Sequence, residues 1–334
     1  MSSDEPYRPG ARPPTIADVI PARWSEETRT ANGIGQHYYR TGGAKPTIAL
    51  LHGFSENCQC WSRVAKALED EYDLILLDAR GHGRSDLPAT GYAQETLTAD
   101  VIAFIAALDL ERPFVWGYSN GARTAAEVAA TAPEIVRAVI LEDPPWRDGA
   151  APSAKPADSE MGGEPWPGYA QWRANWIAWH VALHDQAFAE RVASSAPYLP
   201  PGATDWPAED LLTHLEAQAQ FNLALLDMLP PVPTRSPWRA TVARITCPLL
   251  LLTSDPARGG TITPELVAQI TATWRDGERV AFTGASHFLH HEARGEAFER
   301  FIAVVRAFLA RVIPGASVGA MSAAIHADSR ARQS

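Results

Sequence analysis

Cysteine, basic residues and long apolar runs are all scarce in this chain of 334 residues. Its three cysteines cannot all pair with one another, so we expect small buried thiols in a reducing compartment and no disulfide framework. Lysine and arginine number 29 against 39 acidic residues, a formal net charge of -10. That balance argues against nucleic acid as a partner, because nucleic acid binding needs a basic surface.

No apolar run reaches the length that crosses a bilayer, and the first residues are acidic rather than typical of a signal peptide. We therefore expect a cytoplasmic protein that binds a small molecule and neither a membrane nor nucleic acid. The oligomeric state is left open by the sequence.

Two patterns match metal motifs only in part. Cys58-Gln-Cys60 lacks the two-residue spacer of redox and zinc motifs. His290, His291 and Glu292 belong to an H-x-x-H-H-E pattern, but no matching cluster of cysteine, histidine and aspartate is visible elsewhere in the sequence. We interpret this pattern as the polar start of a helix, and we expect no metal and no cofactor.

The most informative feature that is present is the pentapeptide Gly117-Tyr118-Ser119-Asn120-Gly121. It follows an apolar run and precedes a helical stretch, which is the strand, G-x-S-x-G, helix order of a nucleophile elbow. The turn is so tight that only small residues fit two positions either side of the serine. It would raise the Ser119 hydroxyl above a sheet and aim the N–H of Asn120 at an oxyanion beside it.

Short apolar runs alternate with helical stretches along the chain, as in an α/β protein with a mostly parallel sheet flanked by helices. The runs predict strands at 47–51, 73–77, 112–116, 136–141, 248–252 and 279–282, and a closing helix near 293–312. In such folds the functional groups lie on loops at the carboxyl ends of the strands.

One of these loops is His52-Gly53-Phe54, directly after the first predicted strand. Gly53 lets the backbone come close to a substrate, and the N–H of Phe54 can point into the site. We predict that the amides of Phe54 and Asn120 form an oxyanion hole. His52 and His82 are expected to shape their loops rather than transfer protons.

These motifs resemble those of the α/β-hydrolase superfamily, in kind and in order, over about residues 30–313. The matching segments are His52-Gly53-Phe54, Asp78-Ala-Arg-Gly-His-Gly-Arg-Ser85, Gly117-Tyr-Ser-Asn-Gly121 and Gly284-Ala-Ser-His287. Shorter segments at 32–40, 141–145 and 258–264 resemble the branch that contains N-formylmaleamate deformylase. The resemblance implies an α/β-hydrolase fold with a helical cap inserted after the sixth strand, and a Ser-His-Asp triad.

In that resemblance His287 is the triad base, since it follows the last strand and precedes the last helix. Three acids remain open: Asp143, Asp255 and, behind both, Glu142. Asp143 ends the earlier strand, at the position that the deformylase branch uses. Asp255 follows the next strand, the commoner position, but arrives about two residues early and without the usual glycine. We favour Asp143 and keep Asp255 as the alternative, because the acid must reach Nδ1 of the imidazole.

Residues 146–240 interrupt the alternation and carry helical patterning, so we predict a helical cap there. The core would then comprise residues 26–145 and 241–313, with disordered tails at 1–25 and 314–334. Spacing places three tryptophans on one helix face of the cap. We expect a substrate pocket among Trp172, Trp176, Trp179, Tyr118 and Trp146.

The sequence thus predicts a serine hydrolase that cleaves a carboxylic ester or amide of a small molecule through an acyl-enzyme. An N-formylmaleamate-type amide deformylase and a C–C bond hydrolase would use the same triad, and a small-molecule receptor would use the fold without the chemistry. An aromatic pocket favours an apolar substrate. A small dianion would instead need cations near the nucleophile, for which Arg123, Arg147 and Arg173 are candidates.

Overall fold

A computed structural model describes residues 12–146, 169–183, 186–195, 198–200, 203–228, 237–292 and 295–313. Its eight strands are β1 Ser25–Ala31, β2 Ile34–Arg40, β3 Thr47–Leu51, β4 Asp73–Leu77, β5 Phe114–Tyr118, β6 Ala138–Glu142, β7 Leu249–Thr253 and β8 Gly277–Ala281. They form one sheet in the order β1-β2-β4-β3-β5-β6-β7-β8. β1, β2 and β4 pair antiparallel, and all other pairs are parallel.

Two layers of helices cover this sheet. One face carries α2 Ser62–Leu68 and α12 Glu296–Val312, and the other carries α3 Gln94–Ala107, α4 Asn120–Thr131, α9 Trp238–Arg244 and α10 Pro264–Thr271. Along β4, Leu74 and Leu76 enter the first core while Ile75 and Leu77 enter the second. Strands buried on both faces need apolar side chains in both directions, which explains their unbroken apolar runs.

A helical insert lies between β6 and β7. Its helices are α5 Tyr169–Leu183, α6 Phe188–Ser195, α7 Ala208–Gln220 and α8 Leu225–Met228. α7 is tied to the loop after β3, because Asn57 donates to Gln220 at 3.0 Å and Gln218 donates to the Ser55 carbonyl at 3.0 Å. The predicted fold class, with its insert after the sixth strand, is confirmed.

The structure differs from the sequence expectations at the amino-terminal end. Residues 12–25, assigned to a disordered tail, contain α1 Ile16–Val19, and both Val19 and Trp24 are buried against the core. The rest of the predicted tails, 1–11 and 314–334, lies outside the described residues. The hairpin of β1 and β2 was not predicted, because β1 is almost wholly exposed and has no apolar run.

Helix boundaries in the insert also differ from the expectation. Within the described part of residues 146–240, for which helical patterning is predicted, the structure has the separate helices α5, α6, α7 and α8. α11 Leu289–Glu292 forms a separate short helix between β8 and α12. Across the described ranges, no helix is long and apolar enough to cross a membrane.

Candidate active site

Ser119 occupies the sharp turn between β5 and α4. Its backbone has φ 50° and ψ -117°, a conformation that costs a non-glycine residue free energy. A Cβ on Gly117 would overlap the backbone of Gly121, and a Cβ on Gly121 would overlap the carbonyl of Leu51. Both glycines are therefore required by packing. The turn is held by the Ser119 N–H, which donates to the Glu142 carbonyl at 2.8 Å.

His287 lies between Ser119 and Asp143. Its Nε2 is 2.9 Å from Ser119 Oγ, and its Nδ1 is 2.6 Å from Asp143 Oδ2. The Tyr118 ring packs against the imidazole with 5.0 Å between the ring centroids. The His287 side chain keeps 20% of its surface exposed, so this arrangement is reachable from outside. A hydroxyl, an imidazole and a carboxylate in this order can activate a serine nucleophile.

Asp143 follows β6 directly and is fully buried. Its Oδ2 also accepts the N–H of Thr261 at 2.9 Å. Burial alone would raise the pKa of this carboxyl, but the hydrogen bond from His287 and the Thr261 N–H lower the pKa below its ordinary value. The carboxylate is thus ionised and held in one orientation towards the imidazole.

Asp255, the alternative acid, has another position. Its carboxylate accepts the N–H groups of Ala257 and Gly284, each at 2.9 Å, and caps the short turn Pro256–Arg258. These backbone hydrogen bonds lower the pKa of the exposed Asp255 carboxyl. The structure brings Asp143, and not Asp255, to His287.

The backbone amides of Phe54 and Asn120 lie at the turn after β3 and at the first residue of α4. Neither donates a hydrogen bond to any residue within the described ranges. His52 braces the turn after β3, since its Nδ1 lies 2.7 Å from the Gly53 carbonyl and its Nε2 accepts the Ala79 N–H at 3.0 Å. The amino-terminal end of α4 adds a positive dipole beside Ser119.

His82 supports the same loops from inside the protein. Its Nδ1 contacts the Arg80 carbonyl at 2.9 Å, and burial lowers the pKa of the imidazole to about 3. A neutral ring with a backbone partner is suited to holding a loop, as expected from its place in the sequence.

The insert tryptophans have internal packing partners. Trp179 donates to Ser195 Oγ at 3.0 Å and stacks on Tyr198 with 4.8 Å between the centroids. Trp176 packs on Phe221 at 5.4 Å, and both tryptophans are 5% exposed. These contacts account for their burial without any ligand. The side chain of Trp172 lies outside the described residues.

Phe221, which the sequence analysis did not single out, is the insert residue next to the candidate oxyanion turn. Its ring lies 5.3 Å from that of Phe54 and 5.7 Å from that of His82. No motif marks this residue, because only the docking of the insert brings it there. Trp146, by contrast, is buried in a stack on Trp238.

Within the described ranges, two groups of buried side chains have atoms of metal-ligand type close enough to share a metal ion. One comprises Glu56, Cys60, His290 and His291, and the other comprises His37, Cys58 and Asp78. The sequence analysis set a metal aside because the histidine pattern had no visible companion cluster. That reason does not hold, since the fold supplies Glu56 and Cys60.

Comparison with known proteins identifies the family. A family model described as the alpha/beta hydrolase fold matches residues 46–293. The chain therefore belongs to the α/β-hydrolase family.

Two curated relatives are hydrolases of named compounds. The chain is 38% identical over 117 residues to N-formylmaleamate deformylase of Pseudomonas putida, a match covering 35% of this chain and 44% of that protein. It is 34% identical over 104 residues to 2-(acetamidomethylene)succinate hydrolase of Mesorhizobium japonicum, covering 31% and 37%. The chain thus spans less than half the length of these curated relatives.

A solved structure shows the likeness in three dimensions. The N-formylmaleamic acid deformylase of Pseudomonas putida S16 superposes with a TM-score of 0.63 at 22% identity, covering 84% of this chain and 100% of that one. At this identity the superposition establishes the fold alone.

Proposed function

We propose that the protein is a serine hydrolase that cleaves a carboxylic ester or amide of a small molecule. One observation carries the proposal: His287 contacts both Ser119 Oγ, at 2.9 Å, and Asp143 Oδ2, at 2.6 Å. In this proposal Ser119 is the nucleophile, His287 the general base and Asp143 the acid that fixes the imidazole tautomer.

The reaction proceeds in two halves. His287 takes the Ser119 proton as Oγ attacks the acyl carbon, and then gives that proton to the leaving alcohol or amine. The acyl-enzyme is hydrolysed when His287 activates a water molecule in the same way. Ser119 then regains its proton, so the protein is unchanged after each cycle.

The negative charge of each tetrahedral intermediate needs hydrogen-bond donors. We assign this role to the N–H groups of Phe54 and Asn120, which have no other acceptor among the described residues. Each such donor contributes about 3 kcal/mol to transition-state stabilisation in related sites. Since these donors belong to the backbone, substitution of their side chains alone would not remove them.

The insert gives the site an aromatic wall on one side. Phe221 and Phe54 lie in edge-to-face contact beside the proposed oxyanion hole. Apolar rings at this position favour a substrate with an apolar or aromatic part, because contact with an aromatic surface adds binding free energy. An aryl or alkyl ester is the substrate class that this wall accommodates.

A second candidate is hydrolysis of an amide that carries carboxylates, as the names of both curated relatives denote. Arg123 lies one helical turn after Ser119, and its N–H donates to the Ser119 carbonyl. It is half-buried, burial lowers the pKa of its guanidinium while the charges of Glu127 and Glu95 raise it, and no carboxylate in the described part of the chain forms a direct ion pair with it. A half-buried cation outside any direct ion pair favours an anionic substrate.

A substrate panel separates these candidates. We would measure kcat/KM for phenyl acetate, an alkyl ester, a lactone and N-formylmaleamate, using wild-type protein and Arg123→Gln. If kcat/KM is highest for phenyl acetate and Arg123→Gln leaves it unchanged, the result supports an apolar ester as substrate. Preference for N-formylmaleamate that Arg123→Gln removes selects the carboxylate-bearing amide instead.

Covalent labelling tests the chemistry independently of the substrate. An aryl phosphonate should modify Ser119 and no other serine, as read by peptide mass spectrometry, and Ser119→Ala should prevent it. Hydrolysis of every panel member without labelling of Ser119 contradicts the acyl-enzyme mechanism. Tight binding of panel compounds without turnover would indicate a receptor.

A further inference from the structure

A buried cluster of polar side chains lies next to the candidate active site, since the Tyr118 ring contacts both His287 and His290. Tyr118 packs edge-to-face on His290 with 4.7 Å between the ring centroids. His290 Nδ1 is 2.7 Å from Glu142 Oε1, and His291 Nε2 is 3.2 Å from Glu56 Oε1. All four polar side chains are at most 3% exposed.

The cluster contains the donor types that bind zinc. One atom each of Glu56, Cys60, His290 and His291 lie within 4.8 Å of one another. Carboxylate, thiolate and imidazole are the ordinary zinc ligands, and a tetrahedral site places its ligand atoms about 3.3–3.8 Å apart. The 3.2 Å between His291 and Glu56 is close to such an edge. Four donors from one loop and one helix thus complete a tetrahedral set.

Three side-chain atoms of these four residues have no hydrogen-bond partner in the described part of the chain. They are Glu56 Oε2, His290 Nε2 and His291 Nδ1, all buried away from solvent. Buried polar atoms are nearly always satisfied, so each of these calls for a partner. A cation between the four side chains would give a partner to Glu56 Oε2 and to His290 Nε2.

Each of the two histidines has a carboxylate beside its Nδ1. Glu142 Oε1 lies 2.7 Å from Nδ1 of His290, a hydrogen bond, and Asp210 Oδ1 lies 3.6 Å from Nδ1 of His291, an ion-pair contact too long for a hydrogen bond. A carboxylate beside the second ring nitrogen is the usual support of a zinc-bound histidine and leaves Nε2 available to a metal ion. The rings are further fixed by stacking on Trp61 and on Trp206.

The cluster holds three buried carboxylates, those of Glu56, Glu142 and Asp210. Arg63 lies 3.4 Å from Asp210, and the imidazole of His214 lies 3.8 Å from Glu56. Buried carboxylates need compensating positive charge. A divalent cation supplies it. The competing source of positive charge is a protonated His291. Burial lowers the pKa of this imidazole, but the nearby Asp210 and Glu56 outweigh burial and raise the pKa to about 9.

We propose that Glu56, Cys60, His290 and His291 bind one zinc ion as a structural metal, with Glu142 and Asp210 orienting the two histidines. Binding releases the thiol proton of Cys60 and any proton on His291 to solvent. The ion ties the short turn Cys58–Trp61, which follows the Phe54 loop, to α11, which follows His287. Its role is to hold these two loops, and it takes no part in the reaction at Ser119.

Metal analysis of the purified protein tests the site. We would load the full chain with Zn²⁺, dialyse it against a weak chelator and measure zinc by mass spectrometry. We expect one zinc ion per chain in the wild type, loss of it in Cys60→Ser and in His290→Gln, and full retention in Cys247→Ser. Cys247 is a matched control, because it is also a buried free thiol but belongs to the other core.

Binding of Co²⁺ to the wild type reports on the metal ligands directly, so this measurement does not depend on a variant that folds. Co²⁺-loaded wild type should show an intense near-ultraviolet thiolate-to-cobalt band, and Cys60→Ser, once folded, should lack it. Wild type that retains no zinc overturns the proposal and leaves protonated His291 as the source of charge. A cobalt spectrum without the thiolate band also overturns it. Zinc lost in Cys58→Ser but kept in Cys60→Ser would place the metal with His37 and Asp78 instead.

Discussion

The neighbouring acids Asp143 and Glu142 each form a pair with a histidine, and the surroundings of these two pairs differ. Asp143 contacts Nδ1 of His287 at 2.6 Å, and the adjacent Glu142 contacts Nδ1 of His290 at 2.7 Å. The first imidazole is 20% exposed and faces the Ser119 hydroxyl. The second is wholly buried, and its Nε2 has no hydrogen-bond partner within the described ranges.

This difference indicates that a carboxylate–histidine pair does not by itself determine what the histidine does. In both pairs a carboxylate fixes the tautomer and orientation of an imidazole, leaving Nε2 to act. At the exposed pair, the atom beyond Nε2 is a hydroxyl that can lose its proton to the ring. At the buried pair, the imidazole belongs to a group of metal-ligand side chains without access to a substrate. In our two proposals, the surroundings of the imidazole thus distinguish proton transfer from metal binding.

The largest effect should come from removing the hydroxyl at the exposed pair. We expect Ser119→Ala to lower kcat about a millionfold, as loss of a triad nucleophile does in other serine hydrolases. Hydrolysis of the best panel substrate measures it, with thermal unfolding as the control for fold. Residual activity above about 1% of wild type would exclude Ser119 as the nucleophile.

Replacing the acid of the exposed pair should have the next largest effect. We expect Asp143→Asn to lower kcat about ten thousandfold, because an amide at this position stabilises the wrong imidazole tautomer. Asp255→Asn is the matched control, and it should lose little, since that carboxylate only caps a turn. A greater loss at Asp255 than at Asp143 would contradict the assignment of the acid.

The same substitution at the buried pair should affect metal binding instead. Glu142→Gln is expected to weaken zinc binding about 10–100-fold, as loss of a supporting carboxylate does at other zinc sites. Competition with a chelator of known affinity measures it. The change in kcat should be far smaller than for Asp143→Asn, which in turn should keep its zinc. Equal loss of kcat in both variants would mean that the two pairs share one role.

The smallest effect concerns the aromatic wall over the exposed pair. Phe221→Ala should lower kcat/KM for phenyl acetate about 2–10-fold, the value of one aromatic contact. Zinc content should stay unchanged. Trp179→Phe is the control, because it removes the hydrogen bond from Trp179 to Ser195 within the insert and leaves the contact between Phe221 and Phe54 in place. Equal losses in both variants would show that the insert acts through its stability alone.

Sequence patterns identified the features that local physics dictates. A strand that is buried on both faces of the sheet needs an unbroken apolar run, so the central strands could be predicted from the sequence. The tight turn at Ser119 admits only glycine at 117 and 121, so the elbow was readable as well. The sequence could rank Asp143 above Asp255 but not decide, because both follow strands and the outcome depends on which carboxylate reaches His287.

Features that arise from distant contacts were missed. Glu56 and His291 are 235 residues apart in sequence, and no spacing rule joins them. Strand β1 is exposed along nearly all its length and has no apolar run. A signal for its hairpin was present in Asn32-Gly33, whose positive φ values of 49° and 77° are those of a two-residue β-turn.

The register of β6 has a consequence for insertions and deletions. Glu142 pairs with Tyr118 and its carbonyl accepts the Ser119 N–H, so one strand position sets the places of Ser119, Glu142 and Asp143 together. Deleting a single residue within β6 would bring Asp143 to the place of Glu142 and reverse the faces of both side chains. The strand therefore cannot change its length by one residue, whereas surface loops away from these contacts can gain or lose residues freely. Variation in length among functional relatives should be confined to those loops.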